Sequence, residues 1–547
     1  MPGNVFTSQE IIDEIKAEAL VEFEQLSRIY RPTFQTRKIC DYLKQHIKEL
    51  RPDIEVFEDC YRANLIDDAN NEQLSSGNIW FDLPANDPQL EGNEPIILQG
   101  HMDMVCTYAD EDTQRKMEES GVELEYHTNG TLTSRNNLTS LGADNGIGIA
   151  IMLAIVKSDT FKHGPIRFIV TTDEETGMSG ATYLGLTKTG EKGGPVQGFK
   201  YLVNNDNAFD GEILLSTAGW VASVYLLPTE PDATPIDANL NIYTVTVTGL
   251  LGGHSGDWIA KRANAINIAG KIVKNVNKTS AFRLIEFTSP DSPNDNVMHT
   301  SSVVTFTSDL SYNDIISICQ DVEAEFKGKF PEETGIKIKA EVSRLPENTE
   351  IRTFSHEASD RIVKLVNTIK CGVWSWKDQS IGWVETSGNL GPINMSCKKK
   401  QENGKDVWCE PSFELQAGFR SCNNEHVNQI ATNNKQLAKE ILGNDDLDYY
   451  RLKNLFYGWP GNDDPEFANI AKRAYETRGV KWTTRNLHGG LEVSWFKYFN
   501  PELNMLSIGA EIHNMHDNQE TLYTGTLDGV IGVTLDCITQ MRWITKK

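Results

Sequence analysis

The apolar run Ile166-Arg167-Phe168-Ile169-Val170-Thr171 ends in Asp173-Glu174-Glu175-Thr176-Gly177. It reads as a buried strand that delivers three acids to one edge of a sheet, with Gly177 turning the chain away. Burying adjacent carboxylates is costly unless positive charge sits beside them. Neighbouring side chains on an extended segment point in different directions, so Glu174 and Glu175 face different tasks. A cation held by one acid, with the other left free as a base, is chemistry that this arrangement suits.

Other apolar runs end in the same way, and open parallel sheets place ligands beyond the carboxyl ends of their strands. Pro95 to Gly100 leads into His101-Met102-Asp103. In His-x-Asp the two side chains share one side of an extended segment, so Asp103 can accept the second imidazole N–H of a metal-bound His101. Leu141-Gly142-Ala143-Asp144-Asn145-Gly146-Ile147-Gly148 sets Asp144 before an apolar helix, where an Asp alone would be an ordinary cap. Tyr201 to Val203 leads to Asn205-Asp206-Asn207, and Leu503 to Gly509 leads to His513 and His516. His, Asp, Glu, Asp and His without thiolates, beside an unbound carboxylate, describe a hydrolytic site for two metal ions. Zinc is the first expectation for such mixed ligation, and cobalt or manganese also suit it.

The elements that must carry these residues alternate. Thr7 with Glu10 suggests a capping box ahead of an amphipathic opening helix, and a second helix covers Arg37 to Leu50. Short β-like runs stand at Ile54–Phe57 and Ile79–Phe81, and Gly146 to Val156 is apolar almost all round, as expected of a helix beneath a sheet. The pattern predicts an α/β domain with a mostly parallel sheet and helices on both faces. After Gly219 the texture changes. Ile242 to Thr248 alternates as a half-exposed antiparallel strand does, and helical patterns follow at Trp258–Val276, Asn313–Phe326 and Val427–Leu442. Charged Lys398 to Asp406 reads as a solvated hairpin tip. Near Gly458 the helix–strand alternation returns. The expected architecture is a catalytic domain, residues 1–216 and 458–547, interrupted by an inserted α+β domain, residues 217–457.

Composition narrows the partners. The 547 residues exceed what one core usually serves, and 52 Lys and Arg against 77 Asp and Glu give a net charge of −25. That balance argues against nucleic acid and anionic membrane surfaces as partners. Nine Cys without CxxC spacing read as reduced thiols of a cytoplasmic protein rather than as a disulfide framework or thiolate zinc site. No segment has membrane-spanning length or the make-up of a signal peptide.

Gly100-His101-Met102-Asp103, Gly142-Ala143-Asp144-Asn145-Gly146, Glu174-Glu175 and Gly252-Gly253-His254-Ser255-Gly256 together resemble the M20 co-catalytic metallopeptidases. Within that family, Leu141 to Gly148 and His488-Gly489-Gly490-Leu491-Glu492 are similar to the aminoacyl-histidine dipeptidase branch. The resemblance implies that His101, Asp144 and Asp206 hold one metal and that Asp144, Glu175 and His516 hold the other, with Asp144 bridging. It makes Glu174 the general base and Asp103 the orienter of His101. The inserted domain becomes a lid, compatible with homodimer formation. There His254 would meet the scissile carbonyl oxygen, joined more loosely by Asn296. Arg420 would clamp the substrate carboxylate, a task suited to a bidentate guanidinium. Gly490, in the segment that opens with His488, would supply backbone donors nearby. His513 competes with His516, and the spacing from Ser507-Ile508-Gly509 favours His516. Asp173 stands where close relatives carry an uncharged residue, and no role falls to it.

The implied reaction is hydrolysis of the peptide bond of Xaa-His-type dipeptides by a water activated between two metal ions. An N-acyl-amino-acid deacylase would need the same metals and base and differ only in its lid pocket. A binding protein that had lost the chemistry should lack a ligand or the base, and this chain has all six.

Overall fold

The computed structural model of the chain, which describes residues 6–61, 76–228, 234–237, 240–278, 282–344 and 349–544, turns the apolar runs into sheet. Ile96–His101 and Tyr201–Asn204 are buried throughout, as is Ile166–Thr171 apart from Arg167. Such continuous apolar burial is what a strand covered on both sides requires. The chain divides into two units. One comprises Met1–Thr217, Gly461–Leu487 and Leu491–Lys547; the other comprises Ala218–Pro460 and His488–Gly490.

In the first unit the sheet order is Phe57–Glu58, Ile79–Leu83, Ile166–Thr171, Ile96–His101, Tyr201–Asn204, Asn504–Ser507, Glu212–Thr217, Thr483–Leu487. The four strands from Ile166–Thr171 to Asn504–Ser507 run parallel to their neighbours within that group, while Ile79–Leu83 and Glu212–Thr217 pair antiparallel to it. The fold is mixed α/β. In register, His101 pairs with Thr171, Gln99 with Asn204, and Asn204 with Ser507. Four strands therefore end level with one another.

Helix Ala143–Lys157 is buried on every face from Asn145 to Val156, each large aliphatic side chain contributing about 1.5–3 kcal/mol of burial. It packs on Gln9–Ser27, where a Cβ on Gly146 would come within 2.9 Å of the Phe23 ring. The opening helix lacks the expected capping box. Ser8 stands at the cap, and Thr7 instead gives its N–H and hydroxyl to Asp536 at 2.7 and 2.8 Å. A buried carboxylate is the stronger acceptor, so a tertiary contact outcompetes the local one.

The second unit is built on a large sheet in which Asn241–Thr248 pairs antiparallel with both Ser302–Ser308 and Lys337–Ser343. Helices Ala265–Asn277, Tyr312–Lys329, His356–Thr368 and Asn424–Leu442 share its core. The helix expected over Trp258–Val276 is interrupted. Ser255–Trp258 makes one turn, and a new helix begins only at Ala265, where Asn264 caps it by accepting the Ile266 N–H at 2.9 Å. Trp383–Glu402 and Lys405–Ser421 form one long hairpin whose two-residue tip, Asn403-Gly404, lies at positive φ in both residues. That is the chemistry of a type I′ turn.

Candidate active site

The level strand ends of the first unit gather the predicted ligands. His101 Nε2 lies 3.1 Å from Asp144 Oδ1 and 3.3 Å from Asp206 Oδ1. His516 Nε2 lies 3.3 Å from Asp144 Oδ2 and 2.9 Å from Glu175 Oε2. Asp144 thus faces one imidazole with each oxygen. The helix begins at Ala143 but departs from helical geometry at Asp144 and Asn145, and the peptide bond between them is cis. His513 is placed elsewhere, against Glu511 and the Tyr523 ring.

Imidazoles and carboxylates shift one another within the cluster. Burial alone would raise the Asp144 carboxyl, but hydrogen bonds from His101 and His516 outweigh it and hold it below its ordinary range. The same carboxylates, Asp144 first, lift His516 to about 10. Glu175 Oε1 is buried with no hydrogen-bond partner among the described residues. Two imidazoles, three carboxylates and an orphaned buried oxygen are a donor set that fits divalent metal, and His101, Asp144 and Glu175 offer ligand atoms that lie within 4.8 Å of one another.

Glu174 stands directly before Glu175, past the end of strand Ile166–Thr171. Burial pushes its carboxyl well above the usual range, His101 opposes that, and Asp206, Glu492 and Glu175 add to it. A carboxyl with raised proton affinity beside such a donor set has the chemistry of a candidate proton acceptor. Asp103, which is 0% exposed, holds the backbone on either side. It accepts the Glu174 N–H at 3.1 Å, the Glu175 N–H at 3.3 Å and the Thr33 hydroxyl at 2.9 Å. Toward His101, Nδ1 lies 3.1 Å from the Asp103 carbonyl oxygen and 3.5 Å from its carboxylate.

Asp173, unassigned from the sequence, turns out to be a brace. It is buried at φ +53, and its carboxylate accepts the Phe34 N–H at 2.7 Å. Thr33 and Phe34 thereby tie the loop before helix Arg37–Leu50 to both Asp103 and Asp173. Sequence reasoning also missed a polar chain beneath the strand ends. Glu492 is fully buried and accepts from Gln99, whose Oε1 accepts from Asn204 at 2.6 Å, and Asn204 in turn accepts from Ser507. Only the polar identity of Gln99 and Asn204 within apolar strands could have signalled it.

The second unit carries its own cluster. Gly253 and His254 pair with Met298 and Val297, and Ser255 donates its N–H to the Asn296 carbonyl at 2.8 Å, so His254 and Asn296 share one short ladder. Arg420, next to last in the long hairpin, is 5% exposed, with Nη2 3.2 Å from His254 Nε2 and its guanidinium 4.3 Å from the centre of the Trp220 ring. Burial lowers the Arg420 guanidinium to about 10, and its Nε has no partner among the described residues. His488 lies 2.8 Å from Ser387 Oγ, in the segment with Gly489 and Gly490 that belongs to this unit. Burial, with Arg420 and His254 adding to it, lowers His488 to about 3; burial and Arg420 lower His254 to about 4. Both imidazoles are therefore neutral at pH 7, beside a buried guanidinium with no carboxylate of the described residues within hydrogen-bonding distance.

A mostly parallel sheet whose strand ends converge on imidazoles and carboxylates, in a chain with an inserted antiparallel unit, fits the metal-dependent hydrolases. Residues 97–539 match Peptidase family M20/M25/M40, and the chain belongs to that family. It is 25% identical over 503 residues to the cytosol non-specific dipeptidase of Escherichia coli strain K12, covering 92% of this chain and 93% of that protein. The crystal structure of aminoacylhistidine dipeptidase from Vibrio alginolyticus superposes with a TM-score of 0.77 at 24% identity, over 97% of this chain and 99% of that one. Aminopeptidase PepT from Bacillus cereus matches at a TM-score of 0.54 and 18% identity, over 96% and 99%. The chain is thus a hydrolase of the peptidase class.

Proposed function

We propose that the chain is a two-metal dipeptidase that hydrolyses Xaa-His-type dipeptides. The observation that carries the metal reading is the division of Asp144, with Oδ1 toward His101 and Oδ2 toward His516. His101, Asp144 and Asp206 would hold one divalent ion, and Asp144, Glu175 and His516 the other. Zinc is the expected metal, with cobalt or manganese compatible. A pair of divalent ions held there would supply Lewis-acid chemistry, polarising a carbonyl and lowering the pKa of water toward neutrality.

Glu174 takes the proton of the attacking water and returns it to the leaving amine. His254, neutral, donates its N–H to the oxyanion; a donor aimed at such developing charge is worth about 3–4 kcal/mol. Arg420 pairs with the substrate's terminal carboxylate, supported by Asn296, His488 and backbone donors at Gly490. A buried guanidinium with an unpartnered Nε and no carboxylate partner among the described residues supports that role. The names of the Escherichia coli and Vibrio relatives support dipeptides as substrates. The former's name and nine free cysteines support a cytoplasmic setting.

The test is a hydrolysis panel of His-containing dipeptides, other dipeptides and N-acetyl amino acids, with metal content determined on the same sample. Preference for Xaa-His dipeptides with two metal ions per chain is expected. Preference for N-acetyl amino acids would favour a deacylase instead.

A further inference from the structure

Four consecutive backbone N–H groups, those of Leu141, Gly142, Ala143 and Asp144, converge on one buried side chain. Glu520, 2% exposed, accepts Leu141 and Gly142 on Oε2 at 2.8 and 2.9 Å, and Ala143 and Asp144 on Oε1 at 2.9 and 3.3 Å. Successive N–H groups in such a turn make an anion-binding concavity, and here the chain fills it with its own carboxylate. The other side of the turn is held by Arg31, 1% exposed. Its Nη2 donates to the Gly142 carbonyl at 2.6 Å, and its Nη1 to the carbonyls of Met102 and Asp103 at 2.9 and 3.1 Å. Gly142 is thus gripped at both N–H and carbonyl. Its φ of +69 and the 2.8 Å that would separate a Cβ from Arg31 Nη2 leave room for glycine alone.

We infer that Glu520 and Arg31 are positioning residues that fix the backbone of Asp144 against the His101–Asp103 strand end, so that Asp144 can serve two metal ions at once. Glu520 lies four residues after His516, and its own N–H closes a turn onto the Asp517 carbonyl at 3.1 Å. One short segment therefore supplies a metal ligand, His516, and the clamp on the shared ligand, Asp144. Metal binding on the His516 side and the placement of the bridge are coupled through residues 516–520. The inference rests on the proposed two-metal site, and it assigns Glu520 and Arg31 no contact with substrate.

Cobalt titration of the metal-stripped full-length chain tests it, read by chelator competition and by the paramagnetic resonance of the dicobalt form. In Glu520→Gln an amide NH2 replaces one oxygen and faces two N–H donors. Cobalt should bind at least about tenfold more weakly than to the wild type, the usual scale for removing such a ligand support, and spin coupling through the shared carboxylate should be lost. Glu520→Asp, which keeps both oxygens on a shorter stem, should fall between the two, and it supplies the comparison if Glu520→Gln is not recovered folded. A purely structural Glu520 would lower the melting temperature and leave cobalt affinity and coupling at wild-type values, and that result overturns the inference. Fewer than two cobalt ions on the wild type would instead refute the two-metal reading, while the ratio of affinities would still judge the clamp.

Discussion

The carboxylate of Asp103 receives the backbone N–H of Glu174 at 3.1 Å on Oδ1, while Oδ2 receives that of Glu175 at 3.3 Å. One buried acid just past the His101 strand end thus fixes the backbone of both acids just past the neighbouring strand end. In Asp103→Asn an NH2 group replaces one acceptor and confronts an N–H donor. Leaving such buried donors unsatisfied costs about 1–3 kcal/mol each. Turnover at saturating metal should fall roughly 10- to 100-fold, about the rate equivalent of that loss. Steady-state kinetics with metal content measured alongside checks it, and wild-type kcat would remove Asp103 from this role.

Arg420 is predicted to act on substrate binding. Charge-assisted hydrogen bonds contribute about 1.5–3 kcal/mol, so Arg420→Ala should lower kcat/KM for a free dipeptide roughly 10- to 100-fold. The same variant should treat the dipeptide amide, which lacks the carboxylate, almost as the wild type does. Arg420→Lys should recover only part of the loss, because an ammonium is not a fork. Equal losses on the two substrates would place the carboxylate elsewhere.

His488 should make stability depend on pH. Its folded-state value of about 3 lies below the ordinary value of 6.5, so the unfolded chain binds the extra proton between those limits. Stability then rises with pH across that window and is lost as pH falls below 6.5. The wild type should lose about 2 kcal/mol more than His488→Gln between roughly pH 6.5 and 4.5. Denaturant melts at the two pH values measure the difference. Parallel losses would mean that His488 is free to protonate in the folded chain.

The proposed ligands stand out in the sequence because each follows an apolar run: a buried strand must end, and His101, Glu175, Asp206 and His516 lie just beyond such ends. The residues that hold them were not. Arg31 reaches Gly142 across 111 positions and Glu520 reaches Leu141 across 379, and neither carries a local pattern. Asp173 was left without a role because its contact, the Phe34 N–H, lies 139 positions away. The hairpin tip at Asn403-Gly404 was readable since turn chemistry is local. The break before Ala265 was missed because Asn264 looked like one more polar residue in an amphipathic run, although it is a cap.

Chelation should reveal the metal's share of stability. Removing cations from a site of two imidazoles and three carboxylates leaves the acids facing one another, so the melting temperature should fall and return on adding zinc. Calorimetric or fluorescence melts with and without chelator test this. An unchanged melting temperature, with metal release verified, would contradict the assignment of the cluster as a metal site.

Glu174 and Glu175 divide the labour at the heart of the proposed mechanism, and Glu174→Gln tests that division most directly. The substitution keeps the shape and removes the proton acceptor, and general-base catalysis contributes about 10²–10⁴-fold. Dipeptide turnover should fall by at least that much, with two metal ions still bound per chain. Turnover at the wild-type rate, or loss of metal together with activity, would contradict it.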